Sequence, residues 1–133
     1  MTDRDRQRLI GVHPALVSAL KSVFEEMEIQ RAPMFVVEGV RTAERQADLY
    51  AKGRSIPGKV VTYKDGVTHV SNHQAHADGQ GYAVDCAFVD AEPFNADHPW
   101  ETFGEALEAH GMFWGGRWKM ADMPHAELPE GTV

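Results

Sequence analysis

The sequence predicts an α+β domain, a small and mostly antiparallel sheet with flanking helices. Three observations predict it. An apolar stripe at helical spacing follows His13-Pro14. Short apolar runs at 34–37 and 82–88 have the length and the bounding residues of strands. Two aromatic runs flank Gly115-Gly116 near the far end. With 133 residues, 43% apolar and 25% charged, the chain has the size and composition of one ordinary globular domain.

The first helix opens at Pro14, because proline suits the first helical position, where its missing N–H is not needed. Leu16, Leu20, Val23 or Phe24, and Met27 then form one apolar stripe. Met34-Phe35-Val36-Val37 reads as a buried strand ended by Glu38-Gly39. Thr42 can cap a helix running to Lys52, with Glu44 in its first turn and Gly53 as its stop. Residues 53–68, with Gly53, Pro57, Gly58 and Gly66, read as a long surface loop. In the strand from Tyr82 to Phe88, Ala83, Asp85 and Ala87 share one face while Val84, Cys86 and Phe88 share the other. Trp100, Phe103 and Leu107 mark a helix closed by Gly111. Gly115-Gly116 reads as a tight hairpin turn, and a last short strand carries His125 to Leu128.

The net charge of −7 hides a polarity. Residues 1–64 hold 11 basic and 8 acidic side chains, whereas 65–133 hold 2 and 12, together with six of the seven histidines. An acidic chain lacks the basic excess needed to neutralise phosphates, so no nucleic-acid partner is expected. No apolar run approaches the roughly 18 residues of a membrane span, and none is expected. The charged start, Met1 to Arg8, has no apolar signal region, so synthesis in the cytoplasm is expected. The single cysteine, Cys86, fits a reducing compartment.

Histidines and carboxylates crowded into one half raise the possibility of a metal site. Catalytic zinc takes three protein ligands and keeps one open position. His73, Asp85 and His125 could supply two imidazoles and a carboxylate if a loop and two adjacent strands bring them together. The spacing is not that of HExxH, and no helix places two ligands one turn apart. Asp122 is the carboxylate nearest His125, with Pro124 stiffening the bend between them. It could serve as general base and then as proton donor to a leaving amine, or it could simply be a turn residue.

Several ordered segments carry a resemblance: Gly11-Val12-His13-Pro14-Ala15-Leu16, Glu38-Gly39-Val40-Arg41-Thr42-Ala43-Glu44-Arg45-Gln46, Ser71-Asn72-His73, Ala83-Val84-Asp85, Trp114-Gly115-Gly116 and Asp122-Met123-Pro124-His125. In these the chain resembles the bacterial and phage cell-wall zinc peptidases that include VanY-type D-alanyl-D-alanine carboxypeptidases and L-alanyl-D-glutamate endopeptidases. The resemblance implies a hedgehog/DD-peptidase-like domain holding one zinc ion, with His73, Asp85 and His125 as ligands and Asp122 as catalytic base. It places Arg41 where such enzymes bind a substrate carboxylate or polarise the scissile carbonyl, a role suited to a planar, permanently charged guanidinium. Gln46 is a further candidate for the same cleft.

Two departures accompany the resemblance. His73 and Asp85 are twelve residues apart, where many relatives have seven. The extra residues can loop out, although His76 among them could replace His73 or join the site. Ala126 stands where an aromatic often follows the last histidine.

The resemblance implies a catalytic peptidase domain acting on peptidoglycan stem peptides, and the length leads to the expectation of a single such domain over 1–133 without a separate wall-binding domain. An L-alanyl-D-glutamate endopeptidase used as an endolysin is expected, monomeric and reaching the wall after release from the cytoplasm. The competing readings are a D-alanyl-D-alanine carboxypeptidase and a non-catalytic zinc-binding module of the same fold.

Other conspicuous residues have plainer readings. His69, His98 and His110 read as solvent-facing or capping groups, and His13 as a helix-start residue. Cys86 reads as a core thiol. Trp100, Trp114 and Trp118 read as core and cleft wall. Arg41, Arg45, Lys52, Arg54, Lys59 and Lys64 are either a solvated face or a surface for an anionic polymer.

Overall fold

Four short strands form one sheet in the computed structural model, which describes residues 1–60, 62, 64–66 and 71–129. They are β1 (Met34–Glu38), β2 (Ala83–Phe88), β3 (Phe113–Trp114) and β4 (His125–Glu127). Their spatial order is β1-β2-β4-β3, and every neighbouring pair is antiparallel. Four helices flank the sheet: α1 (Asp3–Arg8), α2 (Pro14–Ile29), α3 (Ala43–Ala51) and α4 (Trp100–Ala109). The predicted α+β class holds, and among the described residues no helix is long and apolar enough to cross a membrane.

The predicted stripe of α2 is its buried face: Leu16, Leu20, Val23 and Met27 are wholly inaccessible and Phe24 nearly so. They pack in one core with Val84, Cys86, Phe103, Leu107 and Leu128. His13 caps α2, its Nδ1 accepting from the Ala15 N–H at 3.0 Å. Thr42 caps α3 through the Arg45 N–H, and Gly111 (φ +79°) follows α4 in the left-handed conformation that glycine tolerates. Cys86 is fully buried, and burial, followed by the charges of Asp85 and Asp5, pushes its thiol up.

Helix α1 was not foreseen, although its capping box is visible as Thr2-x-x-Asp5. Only the fold shows its purpose. Asp5 is buried, and its carboxylate accepts from the Thr2 N–H at 3.1 Å and the Val36 N–H at 2.8 Å. Arg8 donates to the Val36 carbonyl at 2.6 Å. The outer edge of β1 is thereby satisfied by side chains instead of another strand. Asp5→Ala leaves the Val36 N–H buried and unpartnered, so urea unfolding is expected to show a loss of about 2 kcal/mol.

The predicted hairpin at Gly115-Gly116 does not form. Gly115–Arg117 is a turn of 3₁₀ helix, and β3 pairs with β4 across the longer 115–124 connection. The glycines serve close approach. A β-carbon on Gly115 would lie 2.8 Å from the His125 Cβ and overlap the Asp122 carbonyl, while one on Gly116 would overlap the Trp114 ring. The site-bearing turn at Asp122 is thus packed directly on the backbone of Gly115.

Candidate metal centre

Asp85 on β2 and His125 on β4 are register partners, so strand pairing alone brings these two side chains together. A β-bulge in β1 between Val36 and Glu38, where it faces Cys86 and Asp85, re-aims Glu38 toward the same end of the sheet. His73 arrives from a loop built around its neighbours. The Ser71 hydroxyl accepts from the His73 N–H at 3.2 Å, the Ser71 N–H donates to the Gln74 side chain at 3.0 Å, and the Arg41 N–H donates to the His73 carbonyl at 2.6 Å. Asp122 and His125 are joined in a turn, with the His125 N–H donating to the Asp122 carbonyl at 3.2 Å and the Asp122 N–H to the Gly115 carbonyl at 2.9 Å.

His73, Asp85 and His125 form the one metal-capable group of three such side chains among the described residues. His73 Nε2 lies 3.1 Å from His125 Nδ1 and 3.3 Å from Asp85 Oδ1, and His125 Nδ1 lies 3.5 Å from the same oxygen. A tetrahedral zinc ion with bonds of about 2.0–2.1 Å sets its ligand atoms about 3.3 Å apart.

The outer contacts decide which atoms face inward. His73 Nδ1 faces the Gly39 carbonyl at 3.3 Å, and His125 Nε2 faces Glu127 Oε1 at 2.9 Å. A carbonyl or carboxylate oxygen accepts, so those nitrogens donate and the other ring nitrogens direct lone pairs at each other. Asp85 Oδ1, buried and without a satisfied hydrogen bond, joins them. Three electron-rich atoms converging on one point suit a cation between them, so the residues present fit zinc.

The electrostatics agree. Burial disfavours a charged imidazole, but Asp85 and then Glu127 outweigh it and push His125 up to about 9. Burial likewise opposes ionisation of Asp85, yet His125 and His73 beside it hold its carboxyl well below the usual range. The cluster favours positive charge at its centre. Asp122 differs: burial, then the negative charge of Asp85, raises its carboxyl above the ordinary value. Its Oδ2 is 3.7 Å from His125 Nδ1, and its side chain is 47% exposed against 4% for His73 and 6% for His125. All four side chains line the cleft, and Asp122 is the most exposed of them.

The cleft holds about 620 Å³. Trp118, whose ring centroid is 4.6 Å from that of His125, forms one wall with Met120 and Ala121. Arg41 and Arg45 also line the cleft, as do Lys59, Val60, Thr62 and Lys64 of the 53–68 stretch. Arg41 reaches the centre, with one terminal nitrogen 3.6 Å from Asp85 Oδ2. Glu38 grips it through Nε at 3.0 Å and a terminal nitrogen at 3.2 Å.

Gln46 does not line the cleft, a correction to its expected role. It is wholly buried, accepts from Arg41 at 2.8 Å, and donates to the Thr62 hydroxyl at 3.1 Å and the Lys64 carbonyl at 2.7 Å. It therefore positions Arg41 and the loop and cannot meet substrate. His76 is outside the cluster too: its Nε2 bonds Asn72 Oδ1 at 3.0 Å and its ring stacks on Tyr82 at 4.0 Å. The extra residues close as a turn, with the His76 N–H donating to the Gln80 carbonyl at 2.8 Å, and leave the cluster intact. His98 and His110 bond acidic partners, Asp90 and Glu26, and His69 lies outside the described residues.

Sequence reasoning missed Glu38 and Glu127. Strand alternation could have found the latter, two residues after His125 and on the same face. Glu127→Ala removes the acceptor that orients His125, and a competing chelator is expected to show zinc affinity about 10–100-fold weaker.

Comparison with known proteins bears on what such a cluster belongs to. The family model described as D-alanyl-D-alanine carboxypeptidase matches residues 65–128, which hold all three clustered side chains and Asp122. The chain is 30% identical over 105 residues to the peptidoglycan L-alanyl-D-glutamate endopeptidase CwlK of Bacillus subtilis (strain 168). The chain matches this family of cell-wall peptidases in sequence and in fold. The CwlK match covers 70% of this chain and 59% of that protein, so the chain spans less than two thirds of its curated relative. The crystal structure of the Serratia marcescens L-Ala D-Glu endopeptidase ChiX superposes with a TM-score of 0.60 at 25% identity, over 97% of this chain and 89% of that one. A VanY D,D-pentapeptidase solved with Zn(II) shares the fold at 15% identity and a TM-score of 0.60, over 88% of this chain and 72% of that one.

Proposed function

We propose that this protein is a zinc-dependent peptidoglycan peptidase that cuts the L-alanyl-D-glutamate bond of the stem peptide. The observation that carries the chemistry is the convergence of His73 Nε2, Asp85 Oδ1 and His125 Nδ1 at tetrahedral spacing, beside the exposed carboxylate of Asp122. The endopeptidase choice is supported by the activities for which the Bacillus and Serratia relatives are named.

Bound zinc, held by His73, Asp85 and His125, would supply a Lewis acid that polarises the scissile carbonyl and acidifies water. Asp122 takes the proton of the attacking water as its oxygen bonds to the carbonyl carbon. It then gives that proton to the amide nitrogen as the C–N bond breaks, so the leaving group departs as a neutral amine. Arg41, held by Glu38 and Gln46, keeps N–H groups on its terminal nitrogens for the carbonyl oxygen as charge develops there. Trp118 and Met120 supply an apolar wall that limits competing water.

Purified peptidoglycan digested with zinc-loaded protein is expected to yield new N-terminal D-glutamate by mass spectrometry, and His73→Ala protein none. Release of free D-alanine instead would assign the carboxypeptidase activity that the family model's description carries. The proposed endolysin role predicts lysis when the wild-type protein, but not His73→Ala, is expressed in a susceptible host whose inner membrane is permeabilised.

A further inference from the structure

The structure divides the basic series of the first half. Arg54 lies against the Tyr50 ring at 3.8 Å, and neither it nor Lys52 lines the cleft, whereas Arg41, Arg45, Lys59 and Lys64 do. Those four cations are not equivalent. Arg41 is neutralised by the two-point grip of Glu38, and Arg45 leans on the same carboxylate at 3.8 Å. The other cleft acids, Asp85, Asp122 and Glu127, gather around the histidines. Lys59 and Lys64 are exposed, and among the described residues no carboxylate pairs with either ammonium. Their backbone is nonetheless tied down: the Lys64 carbonyl accepts from buried Gln46, the Lys64 N–H donates to the Thr62 hydroxyl at 3.1 Å, and Gly53 packs against Val60.

We propose that Lys59 and Lys64 form an anion subsite that selects stem peptides whose D-glutamyl residue carries a free α-carboxylate over those in which it is amidated. This rests on the L-alanyl-D-glutamate reading above. When D-glutamate is linked onward through its side-chain carboxyl, its α-carboxylate stays free on the carbon bonded to the scissile nitrogen. That charge enters the cleft with the bond to be cut. Arg41 cannot discriminate strongly, since Glu38 already balances its charge. The uncompensated cations line the same cleft as the cluster and Trp118. An amide in place of the carboxylate keeps the shape but loses the attraction and the charge-assisted hydrogen bond.

The test compares two synthetic peptides, L-Ala-γ-D-Glu-L-Lys and its D-isoglutamine counterpart, cut by the zinc-loaded full chain. The wild type is expected to prefer the acid by about tenfold in kcat/KM, mostly through KM. Lys59→Ala/Lys64→Ala is expected to bring the ratio toward one by raising KM for the acid peptide. Both positions are exposed, so the thermal melt of the double variant should match the wild type. Equal rates on the two peptides, or a preference that survives the double substitution, overturns the subsite. Cleavage of neither peptide by protein carrying one zinc overturns the endopeptidase reading itself, and the subsite with it.

Discussion

Asp122→Asn protein is expected to keep one zinc ion per chain while its kcat falls by about three orders of magnitude. Asparagine preserves the size of the side chain and its place in the turn, where the backbone bonds to Gly115 and His125 do the holding. It removes only the ability to take and return a proton. Asp122 is the carboxylate suited to that task because it is the most exposed of the cleft carboxylates near the cluster, 3.7 Å from His125 Nδ1 and 47% exposed. Metal content by mass spectrometry and turnover on a stem peptide, measured on the same preparation, decide the matter. Turnover within tenfold of wild type would move the base elsewhere, and loss of the ion would make Asp122 part of the metal site. Retained zinc with full lytic effect despite lost turnover would favour a non-catalytic binding module.

Asp85→Ala is expected to weaken zinc binding by more than a hundredfold and to abolish cleavage with it. Replacing a direct ligand costs more than the roughly 10–100-fold typical of an outer partner. Asp85 contributes the one negative charge among the three converging atoms, and its Oδ1 is buried without another satisfied partner. Without it, two imidazoles 3.1 Å apart face each other with no anion to favour a dication between them. The folded chain should survive, because the backbone of β2 keeps its pairing with β1 and β4 and the core behind it is apolar. Titration against a chromophoric chelator reads the affinity, and near-wild-type binding would remove Asp85 from the ligand set.

Most of the fold was legible because its elements announce themselves locally. The 3.6-residue spacing of Leu16, Leu20, Val23 and Met27, the caps at His13 and Thr42 and the stop at Gly111 each depend on nearby residues. The errors came where a residue's partner is distant. Gly115-Gly116 looked like a hairpin turn because two glycines favour one, but the requirement they meet is room for the Asp122 carbonyl and the Trp114 ring. Helix α1 is not evident from the charged start of the chain because its polar residues bond the edge of β1, about thirty residues away. Gln46 follows Arg41 closely in the chain, and that proximity does not say whether it lines the cleft or sits buried behind Arg41.

By itself, the sequence determined the α+β class through helix and strand periodicity, and the candidate site set of His73, Asp85, His125, Asp122 and Arg41 through its ordered motifs and the family resemblance they carry. Only the tertiary structure decided how those residues are arranged. It shows that His125 and Asp85 are register partners, that Glu38 neutralises Arg41, that Glu127 orients His125, and that His76 turns away onto Tyr82. The physical reason is that periodicity and capping are short-range properties of the backbone. Convergence of lone pairs and the pairing of charges depend instead on distances of a few ångströms between residues up to 52 positions apart, which are set when the sheet closes.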